Sequence, residues 1–318
     1  MFRTKICDIL NIQYPIILGG MVWVGRSELA AAVSAAGGLG LIGAGGMSIE
    51  EIESECDNIR QKTDKPFGIN IPLLRPDAED MINAAAANGA SVISTSSGSP
   101  NKFTPMIKDK GLKVIHVVSA VKFAKKCEQA GVDIIVAEGF EAGGHNGFDE
   151  ITTMALTPQV VRSVNTPVVS AGGIADGHGF VAALALGAQG VQIGTRFMAT
   201  HESAAHKNVK DAVIRLEDNG TSITGRTTVG PTRSIKNSLT DMINEEERKG
   251  TPPEKLFEII GGGRSLSACV EGDCAEGSVY CGQIGGAIDA IKSVKEVIDD
   301  IIAEAKTVIG SLNTLLEK

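Results

Sequence analysis

Apolar residues along this chain fall into short β-branched runs that alternate with Ala-rich stretches whose apolar positions recur every three or four residues. Eight of the runs predict strands, at residues 14–20, 39–44, 66–73, 91–97, 113–118, 133–139, 167–173 and 190–197. Between them lie helix-compatible stretches such as 27–36, 48–60, 77–88, 120–130, 158–163 and 177–186. Most runs are continuously apolar, the pattern of strands covered on both faces. Each connection is long enough for a parallel crossover. Eight successive βα units predict a closed (β/α)8 TIM barrel. The rival, an open doubly wound sheet, usually has fewer strands and a single opening glycine fingerprint.

Strand starts are mostly 20 to 28 residues apart, but the step from Asp133 to Pro167 is 34, and the excess sits in EGFEAGGHNGFDEITT. That spacing predicts an enlarged loop at the C-terminal end of the sixth strand, on the rim where such barrels assemble active sites. After the eighth unit the pattern stops. The domain reading is a barrel over 1–209, a small appended subdomain over 210–265 and a C-terminal segment over 266–318 that packs back on the barrel. In that last segment Ile288, Ile291, Val294, Val297 and Ile301 have the spacing of one buried helical face.

The 318 residues are 43% hydrophobic and 21% charged, which is ample for a large core and excludes a disordered chain. Thirty Lys and Arg against 38 Asp and Glu give a net charge of −8. With no basic run to balance a phosphate backbone, nucleic acid is not an expected partner. The N-terminus lacks a signal-like apolar core, and no uncharged 18-residue stretch reads as a spanning helix, so a soluble cytoplasmic protein without a membrane partner is expected. Cys7, Cys56, Cys127, Cys269, Cys274 and Cys281 lack metal-ligand spacing and read as free thiols. His201 and His206, five apart, do not stack on one helical face, so no metal site is expected.

Glycine is enriched, at 38 positions, and clusters where chemistry would need it. SAGGIADG (170–177) and QIGTRF (192–197) end the seventh and eighth strands, where barrels hold phosphate. There Gly172, Gly173 and Gly194 would expose backbone N–H groups, the following helix start would add its positive end, and Thr195 would add a hydroxyl. Met21, Asn70, Ser94 and Gln192, at strand ends, would supply an apolar platform and amide-type groups for a flat aromatic ligand. His145 is the sharpest single candidate: an imidazole in a flexible, glycine-framed loop can exchange a proton near neutral pH, and Glu138 and Glu141 nearby would favour its charged form. His116 reads as a core or strand-end residue, and His178 as a surface one.

GGMVWVGRSELAAAVSAAGGLGLIGAGG, DKPFGINIPLL, AEGFEAGGHNG, SAGGIADG and VQIGTRF together resemble the FMN-dependent enoyl-acyl-carrier-protein reductases, type II, within the wider group of nitronate monooxygenases, formerly 2-nitropropane dioxygenases. Glu138 and Arg196 stand where nitronate monooxygenases of the main class typically carry glutamine and alanine, and the tail GGGRSLSACVEGDCAEGSVYCGQIGG is similar to that of the reductases. STSSGSP (94–100) departs from the reductases' usual Gly-Asn-Pro. The resemblance implies FMN held by Gly20, Met21, Asn70, Glu138, Gly172, Gly173, Gln192, Gly194 and Thr195. It further implies NADH or NADPH as co-substrate, a trans-2-enoyl thioester on acyl carrier protein or CoA as acceptor, and His145 as the group that protonates or polarises it. Monovalent-cation use and a homodimer are family-level expectations. The alternative activity is nitronate oxidation with O2. Arg196, Arg226, Arg233 and Lys236 are the expected basic patch for the acidic carrier.

Overall fold

A computed structural model describes residues 2–316. Its barrel strands are β1 (Ile16–Leu18), β2 (Gly40–Gly43), β3 (Phe67–Pro72), β4 (Val92–Ser96), β5 (Lys113–Val118), β6 (Ile134–Glu138), β8 (Val168–Ala171) and β9 (Val191–Ile193), with β7 (Gly144–His145) outside the ring. All eight neighbour in parallel in the order β1-β9-β8-β6-β5-β4-β3-β2. A bridge between Ile17 and Leu39 returns β2 to β1 and closes the ring. These are the eight expected strands. The run at 190–197 is shorter than its composition suggests, because Gly194 ends it and Thr195–Met198 turns into a short helix.

The surrounding helices are α1 (Lys5–Leu10), α2 (Ser27–Ala35), α3 (Ile49–Lys62), α4 (Ala78–Ala87), α5 (Pro100–Asp109), α6 (Val121–Ala130), α7 (Thr153–Ser163), α8 (Gly177–Ala185) and the short α9 (Thr195–Met198). Strand residues such as Ile17, Leu41, Ile93, Ile135 and Val169 are wholly buried, as their apolar runs require. Gly40 shows how tightly the layers meet: a Cβ there would stand 1.9 Å from the Ala30 carbonyl oxygen of α2. Any side chain at that position would force helix and sheet apart.

The remaining elements are α10 (Lys207–Ile214), β10 (Thr221–Thr224), β11 (Thr232–Ile235), α11 (Ser238–Lys249), α12 (Pro253–Ile260), α13 (Arg264–Leu266) and α14 (Val294–Asn313). Of these, α10 and β11, with the chain after α13, carry a second core in which Val209, Val213 and Ile235 meet Ala268, Val279 and Cys281, joined to the barrel at Val24 and Ala175. That core draws on both sides of residue 265, so the two spans the sequence separates share one interior. Trp23, after β1, donates its indole N–H to Ser265 Oγ at 3.2 Å and ties barrel to appendage.

The C-terminal helix packs back on the barrel against α8 and α2, but it begins later than the apolar spacing implies. Ser293 caps it, accepting from Glu296 N while the Glu296 carboxylate accepts from Ser293 N, a reciprocal capping box. Ile288 and Ile291 therefore precede the helix, and its buried face is Val294, Val297, Ile298, Ile301, Ile302 and Ala305. Among the described residues all six cysteines are free, and no helix is long and apolar enough to cross a membrane.

Candidate active site

A cavity of about 730 Å³ opens at the C-terminal ends of the strands, within the range of cofactor sites. One wall is made by the turns after β8 and β9. Gly172 and Gly173 have φ of 91° and 71°, which favours glycine, and turn their backbone toward the cavity. Among the described residues the N–H groups of Gly172, Gly173, Gly194 and Thr195 donate to no other backbone group. Four converging donors of this kind suit a phosphate. Of the two helix starts that follow these turns, α9 opens at Gly194 without a side-chain cap, whereas the N-terminus of α8 is capped. Gly179 N donates to Asp176 Oδ1 and Gly177 N to Glu304 Oε2, at 2.8 and 2.6 Å. Side-chain donor atoms of Asp176, His178 and Glu304 lie within 4.8 Å of one another: the two carboxylates cap α8, and His178 Nδ1 is 3.0 Å from Glu304 Oε1.

Toward the barrel axis, Gly20, Met21, Asn70, Glu138 and Gln192 line the same cavity. Gly20 is dictated by contact, since a Cβ would lie 2.4 Å from Asn70 Cβ. Asn70 Nδ2 donates to the Ser94 carbonyl at 3.3 Å and lies 3.4 Å from its hydroxyl. Ser94 itself is wholly buried and does not line the cavity, so it orients Asn70 from below. Gln192 is only 8% exposed, and among the described residues its Oε1 and Asn146 Oδ1, also on the cavity wall, have no hydrogen-bond partner. A buried acceptor without a donor costs stability, so these two oxygens mark where a ligand's N–H or O–H groups belong. Burial lifts the Glu138 carboxyl from its ordinary range to about 7.

His145 lines the cavity from the enlarged loop, but that loop is not free. His145 pairs with Thr232 and Gly144 with Arg233, making β7 the third strand of an antiparallel sheet with β11 and β10. Asn146 Nδ2 donates to the carbonyls of Ala142 and Gly144, and Asn146 N to that of Pro231. The imidazole meets the Tyr280 ring edge-on, with centroids 6.0 Å apart. His145 keeps an exposed side, yet desolvation at the cavity wall shifts its pKa down, against the expectation that Glu138 and Glu141 favour the charged form. Glu141 instead turns its carboxylate to the start of α7, accepting from Thr153 N and Oγ1 at 2.8 and 2.9 Å.

Several wall residues escaped the sequence reading. Tyr280, Gly282 and Ile284 come from the appendage; Gly282 N donates to Thr195 Oγ1 at 2.9 Å, leaving that hydroxyl's own proton for a ligand. A Cβ on Gly143 would lie 2.7 Å from Gly282 N, so the GGH stretch and the tail could have been matched only as two small-residue runs in close contact. His116 is 4% exposed, its Nδ1 2.6 Å from Thr95 Oγ1, and burial pushes it down to about 4. Two of the four basic residues expected to greet a carrier are structural. Arg196 is buried with its guanidinium on the Ala199 and Ala290 carbonyls, and Arg233 is buried on Phe140 O and Thr221 Oγ1.

A family model for nitronate monooxygenase matches residues 3–88 and 79–304. FabK from Thermotoga maritima superposes with a TM-score of 0.95 at 43% identity, covering 99% of this chain and all of the other. A probable nitronate monooxygenase of Staphylococcus saprophyticus is 34% identical over 96% of this chain and 99% of its own. At 30% identity, over 98% of both chains, stands the (3aS,4S,5R,7aS)-5-hydroxy-7a-methyl-1-oxo-octahydro-1H-indene-4-carboxyl-CoA dehydrogenase of Rhodococcus jostii.

Proposed function

The chain belongs to the nitronate monooxygenase family, and within it we propose an FMN-dependent enoyl-acyl-carrier-protein reductase that consumes NADH or NADPH. The whole-chain likeness to the Thermotoga FabK carries this reading. The cavity's chemistry suits FMN: unpartnered N–H donors for a phosphate at one end, and unpaired amide oxygens for ring or ribityl donors elsewhere. When bound, FMN supplies a ring that accepts hydride from the nicotinamide and returns it to the β-carbon of the enoyl thioester.

The residues of this chain then have separable tasks. Gly172, Gly173, Gly194 and Thr195 would hold the phosphate, and Asn70, Gln192 and Glu138, with Gly20 and Met21 beside them, would hold the ring. Ser94 keeps Asn70 in register. His145, held below its ordinary pKa, starts neutral at pH 7 and donates an N–H to the thioester carbonyl, polarising it, while water supplies the proton that completes the α-carbon. The sheet formed by β7, β11 and β10 fixes that imidazole, so its reach does not depend on ordering a mobile loop. Carrier- or CoA-bound enoyl groups are the substrates. A cytoplasmic homodimer aided by a monovalent cation completes the reading.

Nitronate oxidation is the second reading, favoured by the name of the Staphylococcus relative. Steady-state turnover separates the two. The purified protein should be yellow and should oxidise NADH or NADPH only when a crotonyl thioester is added. Nicotinamide-independent oxygen uptake with an alkyl nitronate, and no enoyl-dependent oxidation, would select the oxygenase.

A further inference from the structure

Away from the turns after β8 and β9, the cavity reaches a second lobe at the ends of β5 and β4, two and three strands round the ring from β8. Ser97–Ser99, Ser119 and the outer face of α6 bound it, and Lys122, Phe123 and Lys126 stand at its edge. Lys122, Lys125 and Lys126 are exposed and occupy positions i, i+3 and i+4, one face of the helix. Among the described residues they have one carboxylate partner, Asp149, 3.3 Å from Lys122 Nζ. The acid of α6, Glu128, is engaged elsewhere, accepting from the backbone N–H groups of Asn165 and Thr166 in the loop before β8. A basic face thus survives in a chain of net charge −8. Two aromatic rings stand beside it at the cavity wall, Phe123 and Phe148, exposed by 40% and 75%. Solvation of a helix needs neither exposed aromatic rings nor a place at the edge of a catalytic cavity.

We propose that this face of α6 is the docking surface for acyl carrier protein, an inference that rests on the reductase reading. The carrier is acidic and presents its thioester on an arm that begins with a phosphodiester. Lys122, Lys125 and Lys126 pair with the carrier's acids and the head of the arm, Phe123 and Phe148 take its apolar contact, and the arm enters through the lobe toward His145. The charges act mainly on encounter and orientation, so they raise the capture of carrier-bound substrate without entering the chemistry.

The test compares crotonyl-acyl-carrier protein with crotonyl-N-acetylcysteamine, which carries the thioester without phosphate or protein. In the K122E/K125E/K126E holoenzyme, KM for the carrier substrate should rise on the order of tenfold or more. Kinetics with N-acetylcysteamine thioester, KM for the nicotinamide, FMN content and Tm should stay unchanged. The neutral K122A/K125A/K126A variant should show an intermediate rise. The wild-type KM for the carrier substrate, alone of the two thioesters, should grow with ionic strength. An unchanged carrier KM, an equal rise for both thioesters, or a rise confined to the nicotinamide would overturn the proposal. Calorimetric titration with crotonyl-acyl-carrier protein separates the two layers. Binding lost in the triple variant without wild-type turnover would sink the reductase reading and spare the surface, whereas normal turnover with undiminished binding by the variant would sink the surface alone.

Discussion

His145 and Glu138 face one cavity, and burial moves their proton affinities in opposite directions: the imidazole down, the carboxyl up to about 7. His145→Ala should leave flavin reduction by nicotinamide within a few-fold of wild type and slow the enoyl half-reaction by roughly 10² or more. Stopped-flow measurement of the two halves checks this, and equal loss in both would make the residue a loop strut. Glu138 has a folded pKa above its ordinary value. The folded apoprotein therefore retains a proton that the unfolded chain releases, and stability falls as pH rises from about 4.5 through 7. Glu138→Gln, always neutral, should make the FMN-free protein more stable than wild type by about 1–3 kcal/mol at pH 8 and by under about 1 kcal/mol at pH 5. Denaturation at the two pH values is the measurement, and a difference that did not grow with pH would contradict the burial account. The rim positions of Gly172, Gly173, Gln192 and His145 on the cavity wall were legible because strand order and the enlarged loop put them there. Their charge states were not: Glu141 is near His145 in sequence, but its carboxylate points at α7.

Among elements, the strands were readable because each is an apolar run of its own, and the late start of α14 was not, because Ile288 and Ile291 continue its spacing without belonging to it. The Ser293 and Glu296 capping box is the signal that settles that boundary. Ser293→Ala should cost about 1 kcal/mol of stability, seen as a lowered denaturation midpoint with FMN content unchanged. The sheet that pins His145 could not be read at all, since β7 has two residues and its partner lies far along the chain. Arg233 braces that sheet, donating to Phe140 O at 2.9 Å with its guanidinium 5.0 Å from the Phe140 ring. Arg233→Ala should lower kcat of the enoyl step several-fold while leaving nicotinamide reduction of the flavin intact. An unaffected kcat would show that the loop holds His145 without it.

At the scale of the whole molecule, the barrel supplies the glycine turns after β8 and β9 and the cavity floor, and the appendage closes the wall with Tyr280 and Gly282 and holds the His145 loop in a sheet. This division explains the uneven legibility of the sequence. Ring positions follow from local periodicity, whereas contacts between residues near 145 and near 280 depend on how two cores dock. On the proposed reading, the anionic tail of the cofactor would lie on the β8 and β9 side and the acyl group would enter on the β4 and β5 side, across the ring. The most direct test of the central claim is anaerobic reduction of the bound flavin by NADH, NADPH and an alkyl nitronate in parallel, followed by addition of crotonyl thioester. Bleaching by a reduced nicotinamide and recovery of the yellow colour on adding the thioester is the predicted result. Bleaching by nitronate alone, with no response to either nicotinamide, would contradict it.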